Sequence, residues 1–234
     1  MKNSKVYLRL FFNQPCFLCR LHTAGASGLC DACHADLPWL IGCCPRCAEP
    51  RSPRIPPDQP CGRCQTSPPG FDRVIAAFGY AFPLSQMIPG IKYHRRPALL
   101  GGLAATLAGL LQERIETPPD LLLPVPMHPW QESVRGFNQA ALLASELGKR
   151  LDIPVSHSTL RKVRRTGHQA ELDRRSRAIN LRGSFALSGR VPERVAIVDD
   201  ILTTGATANE LAKLLKKAGS NEVQVWVLAR TPSN

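Results

Sequence analysis

A thirteen-residue string, VAIVDDILTTGAT from Val195 to Thr207, limits what this chain can fold into more than any other stretch. It opens on Val195, Ala196, Ile197 and Val198, an apolar run rich in β-branching that reads as a buried strand of a parallel sheet. Asp199 and Asp200 follow, then a short loop carrying Thr203, Thr204, Gly205 and Thr207. A helix comes next, with Ala208, Leu211, Ala212, Leu214, Leu215 and Ala218 on one face and Gly219 ending it. The order puts two carboxylates at the carboxyl end of a strand, where open α/β sheets bind their ligands.

Each piece has a chemical use. Paired acids accept hydrogen bonds from vicinal hydroxyls, and a loop of backbone N–H groups feeding a helix N-terminus holds a phosphate. Gly205 lets the backbone come close, and the threonine hydroxyls add donors. A sugar with two hydroxyls on one side and a phosphate on the other, a ribose 5-phosphate, satisfies both halves. A plainer reading makes Thr207 and Glu210 a T-x-x-E capping box and treats the acids as strand-end solvation, but it leaves their combination unexplained. The ungapped string resembles the signature of type I phosphoribosyltransferases. In that family the acidic pair holds the ribose hydroxyls of phosphoribosyl pyrophosphate (PRPP), and the loop, here Thr203 to Thr207, holds the 5-phosphate.

All nine cysteines lie between Cys16 and Cys64, and eight of them form C-x-x-C pairs: Cys16/Cys19, Cys30/Cys33, Cys44/Cys47 and Cys61/Cys64. Such a turn aims two sulfurs at one tetrahedral ion, so the four pairs predict two zinc sites, each held by four thiolates. A disulfide framework is the alternative, and the spacing and a cytoplasmic location argue against it. Sequential pairing of the turns gives two ribbons and crossed pairing gives a brace; the short intervening loops favour the first. Cys43 is left over, as a spare thiol or as a substitute for Cys44 in a shifted turn. The segment is poor in apolar residues, so metal is expected to supply most of its stability. Its arginines (Arg46, Arg51, Arg54, Arg63) and prolines suit either an interaction surface or a structural clip.

The formal charge is +12, and two tetrathiolate zinc sites would lower it to about +8. Such a balance suits anionic partners: nucleotide, nucleic acid or membrane surface. No apolar run is long enough to span a bilayer, and the first residues form no signal peptide, so a cytoplasmic protein is expected. The expected organisation is an N-terminal segment (1–15), a double zinc-ribbon module (16–66), a linker (67–73) around Ser67-Pro68-Pro69-Gly70, and an α/β domain (74–234).

Within that domain Val74 to Phe82 reads as a strand. Leu84 to Arg96 reads as a helix broken by Pro89-Gly90, followed by the basic group Lys92, His94, Arg95 and Arg96. Leu99, Leu100, Leu103, Leu107, Leu110 and Leu111 mark an amphipathic helix. Leu121 to Pro126 is a buried strand running into a turn. The loop Met127 to Gly136 carries Arg135, whose guanidinium suits either a pyrophosphate or a surface ion pair. A helix from Phe137 to Leu151, a strand over Ile153 to Thr159 and a last strand over Glu222 to Ala229 complete the outline. From Arg161 to Arg182 there are eight Lys/Arg and two acids. The run reads as a solvated face, a basic flap that closes on pyrophosphate, or a grip on a nucleic-acid backbone.

The chain as a whole resembles the ComF family of competence-associated proteins, which join a double zinc ribbon to a phosphoribosyltransferase-like domain. The resemblance is carried by the four C-x-x-C pairs, Ile91-Lys92-Tyr93, Pro124-Val125-Pro126, Arg135-Gly136-Phe137-Asn138-Gln139, Arg164-x-Thr166-x-x-Gln169 with Leu172, Arg177, Asn180 and Phe185, and the signature string. It implies a type I phosphoribosyltransferase-like parallel sheet and PRPP bound with magnesium. Asp199, Asp200, Thr203, Thr204, Gly205 and Thr207 would hold ribose and 5-phosphate, and Lys92, Arg135 and Arg164 would face the pyrophosphate. It also implies a role in handling incoming single-stranded DNA during natural transformation, with a competence helicase and recombination proteins as partners. An active phosphoribosyltransferase with an unidentified acceptor is the other reading, since this fold also serves proteins that bind phosphoribosyl ligands without turnover.

Overall fold

The computed structural model describes residues 14–25, 27–52, 54–94, 97–164, 181 and 183–232, with the side chains at 92–94, 97 and 98 outside the description. The cysteine-rich segment holds the short helices α1 (Asp31–Ala35) and α2 (Gly62–Thr66). Then come β1 (Arg73–Gly79), α3 (Leu84–His94), α4 (Pro97–Arg114), β2 (Leu121–Pro124), α5 (Pro129–Arg135) and α6 (Gln139–Leu151). The chain continues through β3 (Leu160–Lys162), β4 (Phe185–Leu187), β5 (Arg194–Leu202), α7 (Ala206–Lys217) and β6 (Glu222–Arg230).

Strands β1, β6, β5 and β2, in that order, form a parallel sheet. Alternation along each strand sorts its side chains onto two faces. Ile75, Leu122, Ala196, Val198, Trp226 and Leu228 belong to a core with α3, α4 and α6. Val74, Leu123, Val195, Ile197, Val223, Val225 and Val227 belong to a second core with α7. Helix α7 buries Ala208, Leu211, Ala212 and Leu215, much as its period-3.6 pattern predicts. Burial on both faces is why the strands read as apolar runs.

Several expected elements differ. Strand β1 ends at Gly79 rather than Phe82. Helix α3 runs through Pro89 instead of breaking there. The proline forfeits one N–H and costs about 3 kcal/mol. Leu84, Met87, Ile88 and Ile91 are all buried on that helix, each worth about 1.5–3 kcal/mol, so burial outweighs the break. The strand expected over Ile153 to Thr159 shrinks to one parallel bridge, Val155 with Leu122, on the outer side of β2. The loop Met127 to Gly136 contains α5, which starts at Pro129 and is capped by His128, whose ring nitrogen accepts from the Trp130 N–H at 3.2 Å. Helix α6 begins at Gln139 rather than Phe137, capped by Asn138, whose Oδ1 accepts from Ala140 N–H at 3.0 Å. The antiparallel pair β3–β4 forms a small second sheet, and the basic run leaves from its first strand.

The cysteine-rich segment packs along the β1 side of the sheet. Leu40 N–H donates to the Ala77 carbonyl at 3.0 Å and Gly79 N–H donates to the Pro38 carbonyl at 2.8 Å, so 38–40 lies antiparallel beside β1. The first ribbon rests on α4, where the Ser27 backbone occupies the space a Cβ at Gly102 would need. His34 Nε2 and Thr106 Oγ1 are 3.0 Å apart at the same contact. In the second ribbon Arg51 donates to the carbonyls of Pro56 (2.9 Å), Pro57 (2.8 Å) and Gln59, and Arg46 donates to Pro69 (3.3 Å). Those arginines hold the proline-rich loop and the linker in place, as a structural clip does.

Candidate functional site

The sheet opens where β2 leaves it. The last β2–β5 register pair is Pro124 with Val198, after which Val125 N–H donates to the Val198 carbonyl at 2.9 Å. Strand β5 does not stop with its apolar run; it continues through Asp199 to Leu202, paired only with β6. The acids therefore lie inside a strand, at the bare edge of a crevice, rather than in the loop after it. Asp199 Oδ1 accepts from Asp200 N–H and Asp200 Oδ1 accepts from Ile201 N–H, each at 2.9 Å. Both side chains are half-buried.

Two hollows meet at Asp199. The first, about 180 Å³, is lined by Asp199, Ile201, Leu202 and the run Thr203 to Ala208. Gly205, at φ +77°, is the N-cap of α7. The nearest atoms to a Cβ there would be the Phe71 ring at 3.9 Å, so conformation rather than space selects glycine. Thr207 lies inside the helix rather than at its cap, which removes the capping-box reading. The N-cap itself, Gly205, offers no side chain; Thr204 Oγ1 accepts from Ala206 N–H at 3.3 Å. A helix N-terminus of this kind carries positive potential suited to an anion.

The second hollow, about 170 Å³, is lined by Val125, Pro126, Met127, Gln131, Arg135, Asn138, Gln139, Ala140 and Lys162 together with both acids. Arg135 leaves the end of α5 and donates from Nη1 to Gln139 Oε1 at 3.2 Å. Asn138 donates from Nδ2 to the Val125 carbonyl at 3.0 Å while capping α6, which ties the two ends of the loop together. Lys162, the last residue of β3, is half-buried, and burial pulls its ammonium below the ordinary lysine value. Two cations and two carboxylates around one small hollow suit an anion that also carries a divalent metal.

The structure thus brings Asp199, Asp200, Thr203, Thr204, Gly205, Thr207 and Arg135 to one crevice. Arg164 is exposed just beyond β3 and is absent from the lining of either hollow. Lys92 lies on α3 with its side chain outside the description, and Arg95, Arg96, residues 165–180 and Arg182 are outside the described residues. Most of the expected flap therefore falls outside them. The residue that composition conceals is Lys162. Its signal is a position in a short apolar-flanked strand, and the surrounding charges mask it.

The cysteines gather sequentially into two clusters, Cys16/Cys19/Cys30/Cys33 and Cys44/Cys47/Cys61/Cys64, with all sulfurs of a cluster within 4.8 Å of one another. Cys19 and Cys30 sulfurs are 3.8 Å apart, and those of Cys47 and Cys61 are 3.6 Å apart. A tetrahedral zinc with bonds of about 2.3 Å needs sulfurs about 3.8 Å apart, so both clusters fit. Burial pushes the Cys16 thiol up, but the backbone N–H groups of Cys19, Cys30 and Leu18 outweigh it and bring it to about 6. Cys44 behaves alike, at about 7, with Cys61 N–H donating to its sulfur at 3.2 Å. Burial and the neighbouring thiols push Cys33 up to about 12 and raise Cys64 as well. Four sulfurs that resist ionising together form a donor set suited to a dication. Cys43 belongs to neither cluster.

Known proteins agree with this layout. The phosphoribosyl transferase domain family matches residues 93–234 and the double zinc ribbon domain matches residues 7–65. Competence protein F of Haemophilus influenzae is 36% identical over 94% of this chain and 98% of its own length. DNA utilization protein YhgH of Salmonella typhimurium is 36% identical over 92% of this chain and 96% of its own. Competence protein ComFC of Streptococcus pneumoniae is 32% identical over 45% of this chain and 46% of its own. No helix among the described residues is long and apolar enough to cross a membrane. Likeness of this extent at both the ribbon and the sheet places the chain in the competence protein F family, a double zinc ribbon joined to a phosphoribosyl transferase domain.

Proposed function

We propose that this protein binds PRPP with magnesium in the crevice at Asp199 and Asp200 and serves the handling of incoming single-stranded DNA in natural transformation. The observation that carries the ligand reading is the meeting of two hollows at one carboxylate, a helix N-terminus in one and Arg135 with Lys162 in the other. A 5-phosphate suits the Thr203–Thr207 loop, the ribose diol suits the acids, and a pyrophosphate suits the two cations. The acids are hard oxygen donors of the kind magnesium takes, shared with the ligand's own oxygens. The DNA role follows the relatives named for competence and DNA utilization, and it fits a cytoplasmic protein of high positive charge.

Calorimetric titration of magnesium–PRPP into the zinc-loaded protein, beside Asp199→Asn/Asp200→Asn, tests the reading. Binding in the wild type that the double variant loses supports it, and no binding in the wild type refutes it. Release of pyrophosphate on adding candidate acceptors would extend it to an active transferase.

A further inference from the structure

Arg230 ends β6, three residues after Val227 pairs with Asp199. It is fully buried. Its guanidinium spans two parts of the molecule that are far apart in sequence. Toward the second ribbon, Nε donates to the Cys47 carbonyl at 3.1 Å and Nη2 pairs with the Glu49 carboxylate. Toward the sheet, Nη1 donates to the carbonyls of Leu202 (3.2 Å), Thr203 (2.5 Å) and Thr231. Leu202 and Thr203 border the first hollow, and Cys47 belongs to the second cysteine cluster.

We propose that Arg230 is a positioning residue for the phosphate loop, coupling the second zinc cluster to the phosphoribosyl pocket so that zinc and ligand strengthen each other's binding. This rests on the PRPP reading above. A trans peptide is planar, so its C=O and N–H point in opposite directions. The Thr203 carbonyl is turned to Arg230, which turns the Thr204 N–H away from it, and Thr204 lines the hollow. The arginine thereby sets the orientation of a peptide that a 5-phosphate would meet.

The other end of the fork depends on metal. Cys47 and Glu49 stand in a tight turn in which Ala48 N–H donates to the Cys44 carbonyl and Cys44 N–H donates to the Glu49 carbonyl, each at 2.9 Å. Ala48 takes a left-handed conformation, φ +53°, and is fully buried. Such a turn persists because the sulfurs are held. If it opens, Arg230 loses the Cys47 carbonyl and its counter-charge. A buried cation stripped of its partner is strongly disfavoured, so the guanidinium would leave and release Leu202 and Thr203. Coupling of this kind acts equally in both directions. The first cluster, on the α4 face, has no such link among the described residues.

Two measurements on the full-length, zinc-loaded chain test it. Calorimetry with magnesium–PRPP compares wild type, Glu49→Gln and Arg230→Lys; Glu49 lines neither hollow, yet its variant should bind about tenfold more weakly. Zinc release to a chromogenic chelator, followed on the wild type alone, should show one of its two phases slowed several-fold by saturating magnesium–PRPP and the other unchanged. A wild type that binds the ligand, with variants of unchanged affinity and zinc release indifferent to ligand, overturns the coupling while leaving the PRPP reading intact. A wild type that binds no ligand refutes that reading and this coupling with it.

Discussion

Val125 N–H donates to the Val198 carbonyl at 2.9 Å, and this is the rung at which β2 parts from β5. One residue later Asp199 stands on a strand with a neighbour on one side only. The crevice exists because one strand is shorter than the other. The threonine-lined hollow, the acidic pair and the cationic hollow share that edge.

Lys162 should give the crevice a pH dependence. Burial holds its ammonium below the ordinary lysine value of 10.5. Below its lowered pKa the group is charged and would attract the pyrophosphate of the proposed ligand; above it the charge is gone. PRPP affinity should therefore fall on the alkaline side earlier than a surface lysine would allow. The ligand's phosphates finish ionising near about pH 6, so they do not cause that fall. Lys162→Arg should remove it, because a guanidinium stays charged. Calorimetry from neutral to alkaline pH reads both, and an unchanged profile in Lys162→Arg would exclude Lys162 from the site.

Adjacent glycines on α4 should respond with opposite signs. A Cβ at Gly102 would strike the Ser27 backbone, whereas one at Gly101 meets nothing within 4 Å. Gly101→Ala should stabilise by up to about 1 kcal/mol through helix propensity. Gly102→Ala should destabilise by about 1–3 kcal/mol and loosen the first ribbon from α4. Thermal melts and limited proteolysis around Ser27 would compare them.

Metal stoichiometry should separate Cys43 from Cys44. Elemental analysis of the wild type should find two zinc ions per chain, one for each cluster. Cys43→Ser should keep both, since its sulfur belongs to neither cluster, while Cys44→Ser should lose one. Loss of zinc in Cys43→Ser would mean that the turn is shifted by one residue.

Single-stranded oligonucleotide binding should weaken steeply with salt, as it does wherever phosphate contacts dominate. Arg164→Glu, at an exposed position, should lower the affinity and flatten the salt slope. Fluorescence anisotropy at several salt concentrations measures both, and a flat salt response would remove the nucleic-acid backbone from consideration.

The parts of this molecule legible in its sequence are those where a local pattern and a local structure coincide. Val195 to Val198 announces a strand because burial on both faces demands an apolar run. The cysteine turns announce metal because their geometry is complete within four residues. The acids read as the carboxyl end of a strand, but that β5 runs on past them to Leu202 depends on β6, a partner that local pattern does not reveal. Pro89 reads as a break because the burial of Leu84, Met87, Ile88 and Ile91 against the sheet is a tertiary fact. The last strand reads as ending at Ala229, one residue short of Arg230, and nothing near Arg230 in sequence names Cys47 or Glu49.

Residues 38–40 lie along the outer side of β1, held there by a segment that metal organises. Before a newly made chain acquires zinc, that side of β1 would show a row of unsatisfied N–H and C=O groups to other copies. Bare strand edges of this kind template intermolecular pairing and aggregation. The ribbon module would therefore act as a built-in guard during biosynthesis, and the yield of usable protein should follow the zinc supply of the cell in which it is made.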